Sequence, residues 1–460
     1  MENNKEILLD KARMILKEAE KLGVSQAQAM ITLTSNALTR LANSIIDQNV
    51  AERHAKIRVV VYFGKSSGSV EFEVLEDRDI KEAVEHAVTL ARISPENKDF
   101  QSLPNPVKYS STFNMSKQVS ESTFATTPEK RAELATLAIE TVHTVDRRIF
   151  AVAGFVQNTT VEKTVSNSLG IEAYEMLTFC DTEMTVLARD DSEETAGWAV
   201  DARRDVNDLR VEDVARIAAE KAANGFGLKY LDPGEYEVVL EPAAAANLVL
   251  YTTYVGFSAR RYQEYMSYLR DRIGEQMFSE NLDFWDDALN QRLVGSSLFD
   301  DEGVPHQKVD LVEKGVVKNL VYDSLTATKD GVESTGNHAK FWGPPGPMAR
   351  HVIVGEGNAS MDEMISETKK GVLVTHFHYM NTVNPTEGVI TALTRDGAWF
   401  IEDGEIQHPL HTLRFTDAIP RFFKEIEMIG NYPDFLRVPP TGMVPAMKLP
   451  SFKFSGSSKE

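Results

Sequence analysis

From residue 295 onward the chain turns repeatedly on glycine, at Gly295-Ser296-Ser297, Asp301-Glu302-Gly303, Glu313-Lys314-Gly315, Arg395-Asp396-Gly397 and Glu402-Asp403-Gly404. Glycine takes backbone angles that other residues avoid, so corners of this kind mark tight turns. Short β-like runs lie between them. Many short strands with regular turns predict a curled sheet or a barrel-like β domain. At 460 residues the chain is too long for one ordinary core, and two or three domains are expected.

The first half mixes helix and strand. Leu8, Ala12, Ile15, Ala19 and Leu22 recur at helical steps, and Gly23 ends the pattern. Ala27, Ala29, Ile31 and Leu33 alternate as in a strand. Ile57, Val59, Val61 and Phe63 do the same before a hairpin turn at Gly64-Lys65-Ser66-Ser67-Gly68. A second helix carries Ile80, Ala83, Val84, Ala87 and Ala91, with Asp77 and Asp79 where carboxylates suit the helix dipole. Leu103-Pro104-Asn105-Pro106 marks a boundary. Beyond it, Thr127 caps a helix that starts on Pro128. Strands follow from about Arg148 to Leu187, turning at Asn167-Ser168-Leu169-Gly170. A helix with Val214, Ile217, Ala218 and Ala222 then stops at Gly225. Leu231-Asp232-Pro233-Gly234 is the second boundary. The expected fold is α+β, with an N-terminal helix/sheet domain over 1–105, a middle α/β domain over 106–230 and a large β-rich, barrel-like domain over 231–455. Phe422 to Ile429 is expected to form a short late helix, and the tail from Val438 to be extended or loose. No solenoid repeat or coiled coil is visible.

A formal charge of −20 argues against nucleic acid as a direct partner, because phosphate binding needs a basic surface. No apolar run approaches the roughly 20 residues that span a bilayer. The opening Met1-Glu2-Asn3-Asn4-Lys5-Glu6 leads into an amphipathic helix, so the expectation is a cytoplasmic protein without a membrane partner. The single Cys180, in the apolar-rich stretch Met176-Leu177-Thr178-Phe179-Cys180, excludes an intrachain disulfide and reads as a buried thiol.

Several separated segments together resemble the TldD/PmbA family, long described as modulators of DNA gyrase and now regarded as peptidases. They are Leu38-Thr39-Arg40-Leu41-Ala42-Asn43, Ala87-Val88-Thr89-Leu90-Ala91-Arg92-Ile93-Ser94-Pro95, Asn167-Ser168-Leu169-Gly170, Phe299-Asp300-Asp301-Glu302-Gly303-Val304-Pro305, Ser334-Thr335-Gly336-Asn337 and the run Thr394 to Glu405. Each is weak alone; their order and spacing carry the resemblance. It implies a three-part α+β chain that dimerises through its C-terminal domain around an internal chamber. It also implies pairing of a zinc-bearing TldD-type subunit with a metal-free TldE/PmbA-type subunit, acting on unfolded peptides.

Catalytic relatives carry His-Glu-x-x-x-His after a strand that looks like Tyr236-Glu237-Val238-Val239-Leu240. The two His, with a Cys, bind zinc, and the Glu serves as general base. Here Thr252, Thr253 and Phe257 stand at those places, while Val255 and Gly256 are kept. Cys180 lies in the middle domain, away from the family's third ligand. The expectation is therefore no catalytic residue and no cofactor in this subunit, with zinc in a TldD-type partner.

Other residues admit smaller roles. His376 and His378 share one face of a strand and could approach an ion with Asp396 or His338, or simply line a cavity. Asp300-Asp301-Glu302 reads as a turn whose carboxylates accept backbone N–H bonds. Ser334, Thr335, Asn337 and His338 form a candidate peptide-binding loop, joined by His376, His378 and Arg395. Tyr251, Tyr254, Tyr262, Tyr265 and Tyr268 cluster near Arg260, Arg261 and Arg270. Of these, Tyr254, Arg260, Arg261 and Tyr262 are candidate interface residues. Gly343-Pro344-Pro345-Gly346-Pro347 reads as a stiff turning loop. The expected function is that of a metal-free subunit of a TldD/TldE-type metallopeptidase, partnered by a TldD-type homologue. The alternatives are a non-enzymatic homodimeric peptide-binding or regulatory protein, or an independent peptidase with a site rebuilt around His376 and His378.

Overall fold

A computed structural model describes residues 4–340, 343–432 and 442–457. The fold is α+β. In chain order the first half forms α1 (Lys5–Lys21), β1 (Gln26–Ala42), β2 (Ile45–Phe63), β3 (Ser66–Phe72), α2 (Asp77–Ile93), the short α3 (Glu121–Phe124), α4 (Pro128–Val145), β4 (Ile149–Asn167), β5 (Glu172–Arg189), β6 (Glu194–Arg203) and α5 (Val211–Ala223). The capping expected at α4 is present, with Thr127 Oγ1 accepting from the Lys130 amide.

The six strands align as β3-β2-β1-β4-β5-β6, each antiparallel to its neighbours. β1 and β4 pair from Gln28 opposite Asn167 to Leu41 opposite Gly154, so one sheet runs through both N-terminal segments. Among the described residues, helices cover only one face. Leu8, Ile15, Ile57, Val59 and Val84 make the core under α1 and α2. Val142, Val152, Val186, Val214 and Ala218 make the core under α4 and α5.

The sheet joins two copies of one plan, helix–three strands–helix. Each copy has the same close contact of strand on helix. A Cβ on Gly68 of β3 would lie 2.0 Å from the Ala87 carbonyl oxygen and 2.5 Å from the Ala91 nitrogen of α2. A Cβ on Gly197 of β6 would lie 2.1 Å from the Ala218 oxygen and 2.5 Å from the Ala222 nitrogen of α5. Glycine facing alanines one helical turn apart lets sheet and helix backbones touch.

The second half contains β7 (Gly234–Leu240), α6 (Pro242–Gly256), α7 (Ala259–Gln263), β8 (Phe284–Asp286), β9 (Val309–Glu313), β10 (Val316–Val317), α8 (Ser324–Asp330), β11 (His338–Ala339), β12 (Gly346–Pro347), β13 (Val352–Val354), α9 (Met361–Ser366), β14 (Lys370–Asn384), β15 (Val389–Glu402), β16 (Glu405–Pro409), β17 (Leu413–Ala418), α10 (Ile419–Phe422), β18 (Met428–Ile429) and β19 (Met447–Ser457). β7, β19, β17, β15 and β14 pair in that order, and β14 returns to β7, closing a ring. Phe377, Phe415 and Phe452 meet inside it, with Phe377 and Phe415 rings 5.0 Å apart.

One expectation is corrected here and one is narrowed. The late helix over Phe422 to Ile429 does not form: helix occupies Ile419–Phe422, and Met428–Ile429 is a strand. Pro420 starts the turn, and the burial of Phe422, Phe423 and Ile426 in the ring's core governs the path beyond it. The tail, expected to be extended or loose, is extended as β19 and not loose there; residues 433–441 and 458–460 lie outside the described residues. Met447, Leu449, Phe452 and Phe454 are buried in β19, between β7 and β17. The ladder shifts register between Leu449 and Phe452, which accommodates Pro450.

Candidate functional site

α6 begins on Pro242 and is apolar on nearly every side, as a fully buried helix must be. Thr252 and Thr253 sit in its last turn and are 0% and 1% exposed. Each hydroxyl is spent on the helix itself. Thr252 Oγ1 donates to the Leu248 carbonyl at 2.8 Å, and Thr253 Oγ1 to that of Leu250 at 3.0 Å. Phe257 is buried edge-on to Phe284, with ring centres 5.3 Å apart. The Tyr268 ring lies against Gly256, where a Cβ would approach it to 2.7 Å. Its hydroxyl donates to the Thr252 carbonyl at 3.1 Å. Two self-bonded threonines and a phenyl ring in hydrocarbon do not fit zinc, which needs N, S or carboxylate donors. The kept Gly256 now makes room for a tyrosine. Cys180 is buried on β5, and burial pushes its thiol up to about 12.

His376 and His378 share a face of β14, with Phe377 turned into the core. The His376 ring packs tilted against Trp198 of β6, with centres 4.2 Å apart, and faces Asp396 at 3.6 Å. Burial pushes it down to about 3, so it is neutral. Arg395 Nη1 donates to His378 Nδ1 at 3.1 Å. Among the described residues no group of three or more His, Cys, Asp and Glu side chains is placed to hold a metal.

The loop 334–338 lies elsewhere. Ser334 and Thr335 hydroxyls bond the Tyr322 carbonyl, and Asn337 Nδ2 donates to buried Asp286 at 2.7 Å. Gly336 has φ +70°, and a Cβ there would meet the Pro305 carbonyl at 2.3 Å. The backbone that approaches this glycine is thus the chain's own. Asp300 forms the expected turn, its carboxylate accepting from the Glu302, Val304 and His338 amides. His338 Nδ1 donates to Asp323 at 3.1 Å and lies 3.7 Å from Glu302. Burial alone would lower its pKa, but Glu302 and Asp323 outweigh burial and raise it to about 9.

One further feature was not legible in sequence. A cavity of about 500 Å³ opens between the helix-free face of the six-stranded sheet and the loops of the C-terminal half. Asn337 and His338 line it; His376, His378 and Arg395 do not. Its other polar residues, among them Lys163, Glu175, His306, Arg350 and His351, come from separate elements and form no local motif. Lys163 lies 3.0 Å from Glu175 and 3.7 Å from Asp301.

Of the four interface candidates, Arg260, Arg261 and Tyr262 are in α7 and Tyr254 is on α6. Arg261 stacks on Tyr254 at 4.1 Å, Arg270 on Tyr262 at 4.8 Å, and Arg260 donates to the Pro345 carbonyl at 2.9 Å.

α6 is thus a buried helix in a half built on a ring of strands, beside a two-copy α/β sheet. The family model of the PmbA/TldA metallopeptidase C-terminal domain matches residues 233–456, and that of its central domain matches residues 121–226. The chain belongs to the TldD/PmbA family. It is 29% identical over 286 residues to an uncharacterised protein of Methanocaldococcus jannaschii, covering 61% of this chain and 65% of that one. It is 26% identical over 306 residues to a metalloprotease PmbA homologue of Buchnera aphidicola, covering 65% of each. The matches thus span about 65% of the length of these relatives. The crystal structure of TldE from Thermococcus kodakarensis shares the fold, with a TM-score of 0.85 at 23% identity over 97% of this chain and 100% of that one. No helix among the described residues is long and apolar enough to cross a membrane.

Proposed function

We propose that this chain is the metal-free, TldE/PmbA-like subunit of a cytoplasmic two-component metallopeptidase. A TldD-type partner carries the zinc, and this subunit binds unfolded peptide and completes the chamber. The observation that carries this reading is the end of α6. Inside a domain matched to a metallopeptidase family, Thr252, Thr253 and Phe257 are buried and committed to packing. Peptide capture by main-chain bonds to exposed strand edges would need little sequence specificity. The test is to purify the chain alone and together with a TldD-type protein, and to follow cleavage of an unfolded peptide with and without a chelator. The expected outcome is cleavage only by the pair, stopped by chelation. Cleavage by the lone chain that survives chelation overturns the reading. A homodimer with no affinity for the TldD-type chain does so as well.

A further inference from the structure

The cavity beneath the six-stranded sheet holds polar groups that the chain leaves unused. His306 and His351 are 9% and 6% exposed, their rings 5.3 Å apart, and each Nδ1 is buried without a partner. His351 Nε2 donates to the Gly295 carbonyl at 3.1 Å, so its neutral ring turns a bare acceptor at Nδ1. His306 bonds the Gly336 backbone and is likewise held neutral by burial. Arg350, also lining the cavity, makes no ion pair among the described residues, and its Nε is buried and unpartnered. Buried polar atoms without partners are costly, and a roomy cavity that keeps several of them is shaped for a ligand or ordered water.

Charge narrows the ligand. In a chain of net charge −20, Lys56, Arg58 and Lys340 share one carboxylate here, Glu71, at 3.6, 4.0 and 2.8 Å. The other lining carboxylates are already engaged. Glu175 accepts from Ser297 and the Leu298 amide and pairs with Lys163, Asp301 pairs with Lys163, and Asp300 binds backbone amides. A small local excess of cations suits one carboxylate better than a phosphate dianion, which would face those acids. Met30, Val161, Leu177 and Phe179 supply an apolar wall for a neighbouring side chain. The volume, about 500 Å³, falls in the range of small-ligand pockets.

We infer that this cavity is a carboxylate-reading peptide pocket. Arg350, with Lys340 and Arg58, receives the carboxylate, and His306 and His351 stand neutral in the wall beside Arg350. The inference rests on the peptide-binding part of the proposed function and is independent of the zinc partner. The carboxylate has two sources, a peptide C-terminus or an acidic side chain.

The test is fluorescence polarisation on the full chain with N-terminally labelled, unstructured peptides of Ala, Ser and Leu. Three forms are compared: free C-terminus, amidated C-terminus, and amidated with one internal Glu. The free acid is expected to bind about tenfold or more tightly than the plain amide. Arg350→Gln or Lys340→Gln is expected to erase that preference while circular dichroism shows the fold unchanged. Restored binding of the Glu-containing amide assigns the carboxylate to a side chain; binding of the free acid alone assigns it to the terminus. Equal binding of all three forms overturns this inference and leaves peptide capture standing. So does a preference that survives both substitutions. Failure of every peptide to bind, alone or with the TldD-type chain, removes peptide capture as well.

Discussion

His338 shows what one enclosed cation does for this fold. It is enclosed by Glu302 and Asp323, which lift its pKa from about 6.5 to about 9 against the opposing effect of burial. Asp300 is raised to about 7, chiefly by burial and then by Glu302. In both cases the folded cluster holds protons that the unfolded chain would release, so stability falls as pH rises. The His338 contribution is complete below about pH 6.5 and is lost as pH passes through about 9. Asp323, where burial acts to raise the pKa but the bond from His338 and its charge lower it overall, acts oppositely and matters only in acid. Thermal melts between pH 7 and 10 are expected to show a falling melting temperature, with a shallower decline in His338→Gln. An identical slope in the variant would remove His338 as the cause.

Among the elements, the paired strand–helix contacts set the geometry of the sheet. Gly68 and Gly197 each let a strand backbone rest on a helix backbone, with α2 and α5 as the opposing surfaces. A methyl group at either position meets backbone atoms, which cannot rotate away. Gly68→Ala and Gly197→Ala are each expected to cost about 1–3 kcal/mol or more in urea unfolding. Gly64→Ala offers a control: it has positive φ but nothing within 4 Å, so only backbone strain of about 1–2 kcal/mol is expected. Much of this level was legible. The helical spacing of Leu8 to Leu22, the Thr127-Pro128 start and the Asn167–Gly170 turn all formed as read. The length of β1 and β2 was not, because Thr34–Ala42 and Ile45–Ala55 lack a one-sided apolar alternation; their pairing with each other and with β4 makes them strand. The tail was only half legible for a related reason. Its Pro, Ser and Lys are interleaved with the buried Met447, Leu449, Phe452 and Phe454, and Lys448 is buried between Glu237 and Glu427.

Across the whole molecule, Lys163 ties the sheet to the C-terminal half. From β4 it reaches Glu175 on β5, Asp301 and the Phe299 carbonyl, and lies 4.7 Å from the Phe299 ring centre. Tyr109 and Gln28 add bonds to the Gly303 and Asp301 carbonyls. Replacing Lys163 with Met leaves two largely buried carboxylates without their cation, which costs about 3–5 kcal/mol. Calorimetry of Lys163→Met is expected to show a lower first transition, with the sheet and the C-terminal half separating in their melting. An unchanged single transition would show that other contacts hold the halves together.

The sequence by itself determined the local elements, the α+β class and the family resemblance, because capping, periodicity and glycine turns act over a few residues. It also placed Thr252, Thr253 and Phe257 at the positions where the family resemblance implies metal ligands and a general base. Only the tertiary structure decided what replaces them: two hydroxyls returned to their own helix, Phe257 in the core, and Tyr268 over Gly256. Tertiary structure likewise brought Arg350, His306 and His351 to one cavity and separated them from His376 and His378. Contacts between residues far apart in sequence depend on how sheet and ring pack together, and no local pattern records that.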